Sequence, residues 1–77
     1  MNIILWNDSP EQRYWSVRDL VSGVTLFTDQ LFDSQERYTQ EVAVDISGFG
    51  KVASKHRDGA NWIETTWLSE GSVVQMY

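Results

Sequence analysis

His56 and Asp58 are the first residues to weigh for chemistry. A His-x-Asp pair can orient an imidazole as a general base or supply half of a metal site. His56 is the only histidine and there is no cysteine, so a tetrahedral structural zinc site lacks donors. A polar residue beside a turn is the better reading. Nucleophilic catalysis needs a nucleophile, a base and oxyanion donors in register. The chain has serines, no Gly-x-Ser-x-Gly and that single histidine. Any two of its eleven carboxylates could meet as an acid–base pair, but their spacing selects none. Gly48 and Gly50, followed by Lys51, read as a tight turn rather than a phosphate-cradling loop. A domain this small also lacks volume for a deep pocket. The sequence therefore predicts no enzyme, no cofactor and no metal centre.

Binding chemistry is better represented. Asp29, Asp33, Glu36, Glu41 and Asp45 recur at intervals of three to five residues, opposed only by Arg37. Such carboxylates can imitate nucleic-acid phosphates and occupy a partner's basic groove. The competing reading, which carries more weight, is a solvated acidic edge that discourages aggregation. Trp62 and Trp67 are five residues apart, so an unbroken strand would point them to opposite faces. Exposed aromatics stack single-stranded bases or anchor protein interfaces; a small core could equally absorb them. Lys51, Lys55 and Arg57 form a short basic stretch beside these tryptophans. The net charge of −5 argues against non-specific nucleic-acid binding and permits a basic protein partner.

These residues need a scaffold, and Arg13 to Asp29 states it most clearly. Trp15 and Val17 alternate with Ser16 and Arg18, the period of a half-buried strand. After the turn, Val24, Leu26 and Thr28 alternate with Thr25, Phe27 and Asp29. Asp19 and Gly23 bracket the turn: the carboxylate can accept nearby N–H groups, and the glycine can close the loop in the left-handed region. The hairpin resembles those of β-propeller blades, a likeness confined to this turn and its flanks. A 77-residue chain is too short for several blades.

Further strands are expected at residues 2–6, 51–56, 61–68 and 73–77, separated by Asn7 to Pro10, Gly48 to Gly50, Arg57 to Ala60 and Ser69 to Ser72. Residues 34–47 are ambiguous. Asp33 and Glu36 have the spacing of a helix capping box. Tyr38, Val42, Ile46 and Phe49 suit a helix face, whereas Tyr38, Val42, Val44 and Ile46 suit a strand. The β-branched residues favour a strand over residues 37–47. The predicted fold is all-β: a single domain over residues 1–77, a small antiparallel barrel or strongly curved sheet of six or seven strands. The alternative is α+β, with one helix near residues 34–47 on an antiparallel sheet.

The chain opens on Met, and Ile3 to Trp6 is too short for a signal-peptide core or a membrane span; a cytoplasmic location is expected. Small size, negative charge, surplus aromatics and absent enzyme motifs together predict a protein-binding module. It would act as an inhibitor or adaptor on a host protein or complex, including one that binds nucleic acid. In size and charge it resembles the small inhibitors of phages and mobile elements, anti-CRISPR proteins among them. Two alternatives stand beside this reading. One is a single-stranded nucleic-acid-binding module using Lys51, Lys55 and Arg57 with Trp62 or Trp67. The other is a structural or assembly subunit, such as a virion component, pairing through its first and last strands.

Overall fold

The computed structural model describes residues 1–76; Tyr77, assigned above to the last strand, lies outside the described residues. Seven strands follow in order: β1 (Asn2–Asn7), β2 (Arg13–Asp19), β3 (Thr25–Phe32), β4 (Arg37–Glu41), β5 (Gly50–His56), β6 (Ile63–Leu68) and β7 (Val73–Met76). No helix occurs among the described residues. The strands form two open sheets, one ordered β4-β1-β7 and the other β3-β2-β5-β6. The all-β expectation holds, in its curved-sheet form: neither sheet closes into a barrel. One pairing departs from the antiparallel pattern, because β7 lies parallel to β1. The first strand is also the centre of its sheet, with β4 and β7 on either side. It therefore offers no free edge for assembly, while β7 does.

Alternation sorts the side chains. Ile3 and Leu5 of β1 and Val74 and Met76 of β7 face Trp15 and Val17 of β2, with Phe32, Val52 and Leu68, in one buried cluster. Removing such side chains from water is the main stabilising term. The β2–β3 hairpin forms as expected. Asp19 Oδ1 accepts the Val21 and Ser22 N–H groups at 3.0 and 3.3 Å, and Gly23 takes φ +77°.

The strand after β3 is shorter than expected. β4 stops at Glu41, because the Asp45 carboxylate folds the following segment into a loop. Its Oδ1 accepts Ser47 N–H at 2.8 Å and Phe49 N–H at 3.1 Å. The capping-box signature is real but caps no helix. Asp33 N–H donates to Glu36 Oε1 at 2.8 Å, and Glu36 N–H donates to the Asp33 carbonyl at 3.1 Å. Gln35 between them has φ +62°, which turns the chain from β3 into β4 instead of starting a helix.

Candidate interaction surfaces

The five carboxylates of the acidic run do not share a face. Asp29 sits at a bulge in β3 and approaches Arg57, with Oδ1 3.7 Å from Nε. Asp33 and Glu36 meet each other in the β3–β4 turn, and Asp33 Oδ1 also accepts from Gln12 Nε2 at 2.9 Å. Asp45 is committed to its own loop. Glu41, opposite Asn2 at the end of β4, is the one member whose carboxylate has no hydrogen bond or ion pair among the described residues; its backbone carbonyl accepts from Gln40 Nε2 at 2.8 Å. Three of the five, Asp33, Glu36 and Asp45, thus make local hydrogen bonds that a solvated run would not require, while Asp29 makes only an exposed ion pair. The signal for this lay in their neighbours: three of them stand two to four residues from Ser, Gly or Glu partners of turns.

The tryptophans divide differently. Trp15 is buried, and Trp6 lies half-buried under the Arg37 guanidinium, 4.5 Å from the ring centroid. Trp62 just precedes β6 and lies under Arg18 at 4.4 Å. Trp67 is unlike the rest. The β5–β6 register runs from Val52↔Thr65 to Gly50↔Leu68, so β6 carries one extra residue there. That bulge breaks the alternation that would set Trp62 and Trp67 on opposite faces. Trp67 takes φ +60° within it and remains 73% exposed.

A bulky residue in the left-handed region is a steric outlier, at a cost of about 1–2 kcal/mol. The return within the fold is one edge-to-face contact with Phe49, centroids 5.5 Å apart, worth about 0.5–1.5 kcal/mol. Trp67 and Phe49 line a groove of about 180 Å³ with Asp45, Lys51 and Thr66. Asp45 Oδ2 has no partner among the described residues. The groove thus presents a large aromatic wall, one free carboxylate oxygen and one lysine, on the edge strand of its sheet.

A third feature emerges only on folding. Opposed residues of neighbouring strands share a face, and Ser16↔Lys55 and Arg18↔Ala53 with Ala53↔Glu64 define the outer face of the four-stranded sheet. Lys51, Lys55, Arg18 and Arg57 all belong to it. Lys51, Lys55 and Arg57 are neighbours in the sequence, whereas Arg18 and Tyr14 join them only through the β2–β5 pairing. Their alternation with Trp15 and Val17 on β2 was the available signal.

Among the described residues, no three His, Asp or Glu side chains converge as a metal site requires. No helix of the structure is long and apolar enough to cross a membrane. Compared with protein families, curated proteins and solved structures, the chain matches none.

Proposed function

We propose that this domain is a small acidic protein-binding module, an inhibitor or adaptor that acts in the cytoplasm by covering a partner's surface. Trp67 is its anchor, and the observation that carries the reading is its conformation. A bulge holds the Trp67 backbone in the left-handed region while burying little of its indole, so its placement contributes little to folding. Strain of this kind persists where the surrounding structure imposes it, and it clusters at ligand clamps and binding sites. Tryptophan is also the residue type most enriched among interface hot spots.

The partner is a protein with an apolar slot for the indole and a basic rim. The rim would meet Asp45 beside Trp67 and Glu41 at the end of β4. Trp62, stacked under Arg18, lies outside this contact. Complementary charge would speed encounter and set register, and the buried indole would slow dissociation. Inhibitors that phages and mobile elements use against host complexes, anti-CRISPR proteins among them, have this size and charge.

The test is capture of a host complex on the tagged protein, with nuclease present, followed by the Trp67→Ala variant. One stoichiometric protein partner, retained after nuclease and weakened at least about tenfold by Trp67→Ala, supports the reading. Retention that is unchanged in the variant moves the anchor elsewhere. Retention that disappears with nuclease removes the proposal.

A further inference from the structure

We infer that the outer face of the four-stranded sheet binds single-stranded nucleic acid. This surface meets the Trp67 groove at Lys51, which lines both, and the inference does not depend on the protein-binding proposal.

Net charge describes the whole chain, but a ligand meets one face. The protein has six Lys and Arg residues against eleven Asp and Glu. Four of the six cations, Arg18, Lys51, Lys55 and Arg57, lie on this face. Two carboxylates lie against them: Glu64 pairs with Lys51 at 3.1 Å, and Asp29 with Arg57 at 3.7 Å. Both pairs are solvent-exposed and screened, so they hold the cations only weakly. Arg18 and Lys55 have no carboxylate partner among the described residues. An acidic molecule therefore turns one locally cationic face to solvent.

The same face carries planar groups. The Arg57 guanidinium carbon sits 3.7 Å from the Tyr14 ring centroid, and that of Arg18 sits 4.4 Å from the Trp62 ring. Tyr14 and Trp62 are partly exposed, at 38% and 36%. Tyr14 belongs to β2 and Trp62 leads into β6, with β5 and its Lys55 between. Two strand spacings separate them laterally, about 10 Å, which suits nucleotides that are extended and not stacked on one another. Unstacked bases lie on aromatic rings and on guanidinium planes, and lysines track the intervening phosphates. An acidic protein segment would use the cations but leave these stacking groups idle. A single nucleic-acid strand uses both.

The experiment is fluorescence anisotropy of a labelled oligothymidylate titrated with the intact protein at several salt concentrations. Saturable binding is expected at low salt, with log K falling against log salt by about 0.7 for each phosphate contacted. Lys55→Glu and Arg18→Glu should each weaken binding at least about tenfold. Glu64→Gln, which releases Lys51, should tighten it. That gain cannot come from misfolding, and each variant's unfolding transition shows whether it is folded. Absence of saturable binding at low salt overturns the inference. So does binding that survives both charge reversals. Binding of polyglutamate in place of the oligonucleotide, with the same variant sensitivity, overturns it in favour of an acidic protein ligand.

Discussion

The Asp19 carboxylate accepts the Ala43 N–H at 2.8 Å across 24 residues of chain. Its Oδ2 makes that bond while Oδ1 closes the β2–β3 turn, so one side chain ties the hairpin to the segment after β4. Asp19 is buried, at 3% exposure. Burial pushes its carboxyl pKa up, but the N–H groups of Ala43, Ser22 and Val21 outweigh this and hold it below the ordinary 3.8. The native state therefore prefers the carboxylate more strongly than the unfolded chain does. This stabilisation is complete above the unfolded value and is lost as pH falls through the lower folded value. Asp19→Ala should destabilise by roughly 2–4 kcal/mol, since it leaves three N–H groups short of an acceptor. Urea unfolding at neutral pH and again near pH 2 checks both parts: the gap between wild type and variant should narrow in acid.

Within the same turn, Gly23 and Ser22 should differ. Gly23 has φ +77°, and a Cβ placed there would touch nothing. The whole penalty of Gly23→Val is therefore backbone strain, about 1–2 kcal/mol. Ser22 Oγ accepts the Val24 N–H at a long 3.3 Å in an exposed position, so Ser22→Ala should cost a few tenths of a kcal/mol at most. Thermal unfolding of the two variants should rank Gly23→Val clearly below Ser22→Ala. Equal, negligible effects would contradict the turn geometry.

These turns show what can be read from one sequence. Asp19 and Gly23 announce their turn because its chemistry is local. The strands announce themselves through alternation, and Trp15, Val17 and Val52 are all buried as period two requires. Asp33 and Glu36 were equally visible but ambiguous, because reciprocal bonds at that spacing serve a helix start and a tight turn alike. The choice rested on Gln35, whose positive φ no local pattern reveals. The parallel β1–β7 pairing, the Trp67 bulge and the cationic outer face depend on which strands become neighbours. Such non-local pairings leave no spacing signature. Asn7 was legible only as a turn residue, although its amide reaches residues far along the chain.

Trp67 offers a test in which stability and binding should part. Asparagine is among the few residues with a side chain that tolerate the left-handed region. Trp67→Asn relieves about 1–2 kcal/mol of strain and gives up the Phe49 contact, worth about 0.5–1.5 kcal/mol. The variant should match the wild type in stability or exceed it slightly. Capture of the protein partner should nevertheless fall at least about tenfold. Calorimetry and the capture assay on the same preparation check the pair. A large loss of stability would show that Trp67 is a structural residue.

Asn7 should be the polar position least tolerant of an isosteric change. It is fully buried, at 0% exposure, at the end of β1. Its Nδ2 donates to the carbonyls of Glu11, Phe32 and Asp33 at 3.0, 3.2 and 2.8 Å. Three acceptors crowd one amide nitrogen that carries two hydrogens, so one hydrogen is shared. This arrangement clamps the β1–β2 connection and the end of β3 to the centre of the other sheet. Asn7→Asp keeps the shape, removes both donors and places a buried carboxylate against three carbonyl oxygens. Leaving those acceptors unpaired costs about 1–3 kcal/mol, and desolvating the new charge adds to it. The loss should be at least about 3 kcal/mol at neutral pH. It should shrink in acid, because a protonated carboxyl is neutral and regains one O–H donor. Asn7→Leu, which cannot donate at any pH, should show no such recovery. Urea titrations of both variants across the acid range check this: equal recovery in the two would mean that the Asn7 amide is not what holds the three carbonyls.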